Sequence, residues 1–391
     1  MAWGEQRRLV ERFHVVTRFL ETACPHWRLG TSYDGWVTAL QREQPRMLPW
    51  IINRLRQAMR HMRAFQPGGR WQAFAVDGSE VTCPRTLANQ LAMGDVGQVG
   101  GMPLLSLTSI LHLDLNLPWA FRVGPGTDSE RAHLRDMLDE LPAGSLLVAD
   151  AGFVGYELCR DLVARRQHFL LRVGGNVHLF SKLGYDAEIL GQTVYLWPLD
   201  QQQQNHPPLR LRLIVVQGEH KQPVYLVSSV LEADDLTDQE AGELFARRWG
   251  IEVQFRTLKQ TMQHHRLHSR TPDNCYLEMT WAVLGMWLLE LMALSKLIAA
   301  GHDPREVSAA RVRTAVHRTM RNEPPCRRTR QSLSRVLARC HKDYYVRSRA
   351  KASRHYPRKK HTKPPSPPHI KPPSPKQLKL AKQLTPITIA A

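Results

Sequence analysis

The stretch Phe245-Ala246-Arg247-Arg248-Trp249-Gly250-Ile251-Glu252, running on to Lys259, constrains this chain more than any other. It contains no proline, and Ile251, Phe255, Leu258 and Met262 recur at i, i+4, i+7 and i+11, the spacing of one helix face. Arg248, Glu252 and Lys259 form a second stripe beside that face, with Phe245 and Arg256 at its outer edge. A carboxylate held between two cations at the rim of a buried face fits a functional site. It fits equally a surface helix with ordinary i,i+4 charge pairs. Choosing between the two requires the other acids of the chain.

The 391 residues suffice for two or three domains with a sizeable core. Lys and Arg exceed Asp and Glu by 19, a surplus that implies a polyanionic partner, because neutralised phosphates release counterions. Nucleic acid is the first expectation and an anionic membrane surface the competitor. Six cysteines (24, 83, 159, 275, 326, 340) include no C-x-x-C pair, so they read as reduced thiols of a cytosolic protein and argue against a zinc site. Residues 1–18 are charged throughout, with no signal-peptide core. Leu277–Ala300 is long enough to span a bilayer, yet it carries Glu278, Glu290 and Lys296, and reads as a buried core helix.

Residues 5–24 and 47–66 have helical periodicity and many arginines, and define a helical N-terminal region (1–68) that is either a DNA contact or a packing appendage. From Trp71 the period changes. Trp71–Asp77 reads as a strand ending in an acid and a Gly-Ser turn; Glu80–Cys83, Leu104–Leu113 and Trp119–Val123 continue the extended pattern. Gln90–Met102, with four glycines, reads as a mobile loop. Thr127-Asp-Ser-Glu130 resembles a capping box opening a helix to about Glu140, which makes Asp128 and Glu130 helix-start acids. The apolar run Ser145–Ala149 ends in Asp150; a helix (156–166) and a strand (168–173) follow. Residues 174–223 read as a β-rich insertion and Val224–Ser229 as the last strand, before Thr237-Asp-Gln-Glu240 caps the helical stretch. Arg-rich helices fill 301–343. The tail, 344–391, holds twelve Lys/Arg between Arg347 and Lys382, many prolines and no acid, and is expected to be disordered, as a DNA tether or a solubilising extension.

Asp77 and Asp150 each follow an apolar strand, and Glu252 lies on a later helix. Carboxylate oxygens suit Mg²⁺ or Mn²⁺, and three of them can hold two ions for phosphoryl transfer. An Asp at a strand end is by itself weak evidence, because turn-forming Asp is common there.

Together these segments resemble bacterial insertion-sequence transposases of the DDE type, in particular the IS-four group, marked by Y-x2-R-x3-E-x6-K. The pattern reads here Phe245, Arg248, Glu252 and Lys259, with every spacing kept and Phe in place of Tyr. Asp77-Gly78-Ser79 and Asp150-Ala151-Gly152-Phe153 resemble the first and second catalytic segments. The resemblance implies an RNase H-like α/β core over 69–300, a mixed sheet flanked by helices, with a β-rich insertion (174–223) before the catalytic Glu helix. Asp77 would lie on its first strand and Asp150 at the end of its fourth. It implies Asp77, Asp150 and Glu252 as catalytic metal ligands for two Mg²⁺ (or Mn²⁺) ions, cleaving transposon ends and joining them to target DNA. Arg248 and Lys259 take DNA-contact roles by position, joined by Phe245 and Arg256, and Tyr225 matches an aromatic that stacks on a flipped base. Partners would be double-stranded DNA (terminal inverted repeats and target) and a second copy in a homodimer, with no membrane; location would be the bacterial cytoplasm, at the nucleoid. Trp249 is expected at the helix rim, and His264, His265 and His268 at a DNA groove. Alternatives are a nuclease that cleaves without strand transfer and a catalytically silent DNA-binding descendant.

Overall fold

In the computed structural model the described residues are 3–4, 6, 8–28, 30–62, 65, 69–94, 101–186, 188–217, 222–326, 331–342 and 366–389. Their helices are α1 (Leu9–Ala23), α2 (Tyr33–Arg60), α3 (Leu87–Met93), α4 (Glu130–Arg135), α5 (Tyr156–Ala164) and α6 (Leu199–Gln203). Beyond these come α7 (Asp238–Arg247), α8 (Gly250–Arg256), α9 (Pro272–Ala299), α10 (Ala309–Met320), α11 (Leu333–Leu337) and α12 (Pro375–Ala381). The strands are β1 (Ala73–Thr82), β2 (Leu104–His112), β3 (Leu117–Pro125), β4 (Leu146–Ala149) and β5 (His168–Val173). Then follow β6 (His178–Phe180), β7 (Thr193–Leu196), β8 (Leu209–Val216), β9 (Val224–Ser228) and β10 (His369–Lys371).

The chain forms two compact units, one from residues 1–68, 77–134 and 250–342, the other from 69–76, 135–249 and 343–391. The boundary falls inside β1, at Asp77. In the first unit β1 continues from Asp77 and is followed in order by β2 and β3, which form an antiparallel hairpin with an irregularity at Ile110/Leu111. Helix α9 is its core: Leu284, Met286, Trp287 and Leu289 are buried on different sides of it, together with Glu290. Among the described residues it is the one helix long and apolar enough to cross a membrane, and 61% of that window is buried inside the protein. Helix α2 is fastened along it, Gln41 Nε2 donating to Asn274 Oδ1 (2.6 Å) and Trp281 Nε1 to Gln44 Oε1 (3.0 Å).

In the second unit the order is β10-β6-β7-β8-β9-β5-β4-β1. Strands β1, β4 and β5 are parallel, and β9 turns the pairing antiparallel against β5. Parallel strands are covered on both faces and read as continuous apolar runs, and Ala73–Val76 and Leu146–Ala149 are buried without interruption. The protein is therefore α/β with a large mixed sheet flanked by helices, and its β1-to-β5 connectivity is that of the expected RNase H-like core.

Several local expectations are corrected. Strand β1 runs straight through Gly78-Ser79 to Thr82, so there is no turn after Asp77. Helix α4 begins at Glu130 itself and spans six residues, and a separate 3-10 turn covers Leu138–Glu140. The acid of the apparent capping box is thus the first helical residue, leaving its side chain to point elsewhere. The start of the glycine-rich loop, residues 90–93, closes α3; residues 95–100 lie outside the described part. The tail is structured where it is described: β10 pairs parallel with β6, and Ser374 and Gln377 form a capping box that opens α12. Basic, proline-rich composition conceals the local apolar anchor there, Ala381, which is fully buried.

Candidate active site

Strand β1 delivers Asp77 from a fully buried run to a half-buried position, where its Oδ1 accepts the Gly78 N–H at 2.9 Å. Glycine is needed next to it. A Cβ at 78 would overlap the Glu130 side chain, whose carboxyl lies over that point in the first unit. Burial, then the charges of Asp77 and Glu80, raise the Glu130 carboxyl above its ordinary range. Sequence reasoning treated Glu130 as a helix-start acid. The signal that could have placed it is Gly78, since a glycine inside a strand marks a close approach.

In the second unit Asp150 caps the 3-10 turn Ala151–Phe153, its Oδ1 accepting from Ala151 N at 2.8 Å. Arg172 on β5 brings Nη1 to 3.4 Å from the same oxygen, a partner the sequence did not single out. The β1–β4 register pairs Ala73 with Leu146 and Ala75 with Val148. Asp150 follows directly on the end of β4, one residue past Ala149.

The signature stretch is not one continuous helix. Thr237 and Glu240 close the expected capping box on α7, which ends at Arg247; α8 restarts at Gly250, and Thr257–Thr261 widens into a π turn. The apolar stripe holds, with Ile251, Phe255, Leu258 and Met262 all buried. The corner between α7 and α8 exposes Trp249 (54%) and buries Arg248, whose guanidinium lies 5.5 Å from the Phe245 ring centroid. That contact engages both signature residues with each other.

Glu252 is half-buried in the first turn of α8. Its helix is positioned by the β2–β3 turn. Asn116, at φ 52°, presents Oδ1 2.5 Å from where a Cβ at Gly250 would fall, so any larger residue there must displace the Asn116 side chain. One turn on, Gln254 Nε2 donates to Asn116 O (2.6 Å) and to Glu290 Oε2 (2.9 Å). Glu290 is buried in the apolar middle of α9, and desolvation pushes its carboxyl up to about 7 despite that hydrogen bond. The π turn is held by Arg313, which donates to Thr261 O. On that turn Lys259 is half-buried, its ammonium lowered by burial and pulled back upward by Glu80. Within the first unit, Asp77, Glu80 and Glu130 interact, and Lys259 shares Glu80 with them.

Arg256 is exposed, and Tyr225 is half-buried on β9 in register with Val173 and Val215. His264 is buried while His265 and His268 are exposed. Among the described residues no group of three or more His, Cys, Asp or Glu forms a ready-made metal cage. No disulfide joins any of the six cysteines.

Residues 70–288, more than half of the chain, match the family described as the transposase DDE domain. The chain belongs to the DDE-domain transposases. Among curated proteins it is 26% identical over 316 residues to the transposase InsG for insertion sequence element IS4 of Escherichia coli, covering 76% of this chain and 70% of that one. It is 18% identical over 232 residues to a putative transposase for the element IS4SA of Synechocystis, covering 58% and 62%. Among solved structures, the piggyBac transposase synaptic complex with hairpin DNA gives a TM-score of 0.41 at 10% identity, over 73% of this chain and 60% of that chain. The DDE transposase is an enzyme acting on DNA, of a family that uses divalent metal ions. The expected insertion-sequence grouping and α/β fold class both hold.

Proposed function

We propose that this DDE transposase cleaves the ends of an insertion sequence and joins them to target DNA, with Asp77, Asp150 and Glu252 as the catalytic acids. The observation that carries this reading is positional. Within its own unit each acid has a fixed place: Asp77 lies on β1 with its carboxylate oriented by the Gly78 N–H, Asp150 follows β4 and is oriented by the Ala151 N–H, and Glu252 lies in the first turn of the signature helix α8. All three donors are carboxylates, which fits two Mg²⁺ or Mn²⁺ ions over softer metals. Bound divalent ions would lower the pKa of the attacking hydroxyl and stabilise the leaving oxygen. The chain's own residues fix the donors: the Gly78 and Ala151 N–H groups orient the two aspartates, Arg172 steadies Asp150, and Asn116 with Gln254 holds the helix of Glu252.

The DNA-contact roles divide by exposure. Arg256 is open to a backbone, while Lys259 and Tyr225 are half-buried and suited to a strand end or an unstacked base. Buried Arg248 is better suited to holding Phe245 in place. Terminal inverted repeats as the cleaved sites, and a homodimer in the DNA complex, belong to the same proposal. So do DNA contact by α1 and α2, tethering by the basic tail, the reading of 174–223 as an insertion and a place at the nucleoid.

The test is a nicking assay on the element's end DNA with Mg²⁺, comparing wild type with Asp150→Asn and Glu252→Gln. Both variants are expected to bind the DNA and neither to nick it. Full nicking by either would overturn the assignment, and nicking by wild type without joining would favour the nuclease reading.

A further inference from the structure

The charge surplus is not spread evenly along the chain. Between Arg305 and Lys342 there are eleven Lys/Arg against two acids, Glu306 and Glu323, so about half of the excess of 19 falls within 38 residues. The structure gives this segment a shape. Helix α10 packs Ala309, Val312, Ala315 and Val316 into the first unit, and its opposite face carries Arg311, Thr314, Arg318 and Arg321 at i, i+3, i+7 and i+10. That stripe forms one wall of a cleft of about 800 Å³; Val336, Arg339 and Cys340, from α11 and the residues after it, form the other.

Among the described residues, four arginines and a single acid line it. Glu323 is engaged by Arg318 at 3.0 Å, and Arg318 also donates to Pro324 O, which closes the floor of the cleft. Arg311, Arg321 and Arg339 are exposed around it. A helix C-terminus alone explains one or two cations near Arg318 and Arg321. It does not explain Arg311, in the first turn of α10, or Arg339 on the facing wall.

We propose that the α10–α11 cleft is a duplex-DNA backbone site, gripping phosphates without reading sequence. Guanidinium groups on two facing walls match the paired oxygens of successive phosphodiesters. Among the described residues no Phe, Tyr or Trp lines the cleft and its one imidazole, His317, is buried, which favours duplex backbone over single strands. The choice of DNA as the polyanion rests on the transposase reading; the grip does not depend on the catalytic acids.

The experiment measures binding of the full chain to a random-sequence duplex across a salt series. Arg311→Gln/Arg321→Gln/Arg339→Gln is compared with wild type and with the charge-preserving Lys triple. Each lost phosphate contact removes about 0.9 from the slope of log K against log salt, so the Gln triple is expected to lose roughly 2 to 3 and the Lys triple little. Arg335→Gln, exposed on α11 but outside the cleft, is expected to leave the slope unchanged. If the Gln triple does not fold, Arg321→Gln alone is expected to lower the slope by about 0.9. An unchanged slope in a folded variant overturns the proposal, as does equal loss with Arg335→Gln or stronger discrimination toward RNA or an acidic peptide. Because the duplex carries no element end, failure of the nicking assay leaves this readout intact.

Discussion

Glu290 offers the most direct quantitative check on how the helix of Glu252 is held. Its carboxyl is fully buried in α9 and accepts one hydrogen bond, from Gln254 Nε2 at 2.9 Å. Replacing it by glutamine keeps that acceptor and removes the charge. A carboxyl raised from 4.5 to about 7 is worth roughly 3 kcal/mol at 1.36 kcal/mol per pH unit. The sign follows from which state ionises first. Below pH 4.5 the group is protonated both folded and unfolded, and its burial carries no charge penalty. As pH rises toward 7 the unfolded chain loses the proton while the folded one keeps it, so stability falls; above 7 the full loss stands. Urea unfolding of wild type and Glu290→Gln at pH 5 and pH 8 isolates this one group, because the other titrations cancel in the difference. The variant is expected to exceed wild type by about 3 kcal/mol at pH 8 and by about 1 kcal/mol or less at pH 5. A gap that is the same at both pH values would refute the reasoning.

Two further outcomes follow from packing. Gly78→Ala forces the Glu130 side chain off its position and is expected to cost about 1–3 kcal/mol, but much less in a Glu130→Ala background. A double-mutant cycle by urea unfolding checks the coupling; additive effects would contradict it. Deleting residues 366–391 removes β10 from the edge of β6, the Tyr185 Oη to Ala381 O bond (2.8 Å) and the backbone pairing of Ile387 with Pro208 and Arg210. Melting of the truncated chain is expected several degrees lower, with a newly exposed strand edge prone to aggregation; an unchanged melting temperature would mean the tail contributes nothing to the second unit.

What the sequence disclosed was mostly one-dimensional. Apolar runs such as Leu146–Ala149 announce buried strands because every residue is buried on one face or the other, and α9 announces itself by length and hydropathy. The acids that follow such runs were therefore visible too. Partners supplied by another segment were not. Arg172 reaches Asp150 only because β5 pairs with β4, and Glu130 reaches Gly78 only because α4 starts later than its capping-box pattern implies. The tail was misread for the opposite reason: composition averages over 48 residues, whereas β10 and α12 need only a few well-placed ones.

The signature helix shows where a correct motif still misleads. Its spacing is recorded along the chain, and turning spacing into a face assumes 3.6 residues per turn from Phe245 to Lys259. That assumption fails twice. The corner at Arg248-Trp249 ends α7, with Arg248 still in helical conformation beside Phe245, and Lys259 lies inside the π turn Thr257–Thr261. π turns inside helices recur at functional sites because they re-aim a side chain without ending the helix. Here the turn carries the signature lysine, which shares Glu80 with the carboxyl of Glu130 beside Asp77. If Lys259 serves a strand end as proposed, the π turn sets its direction apart from the first turn of α8, where Glu252 lies.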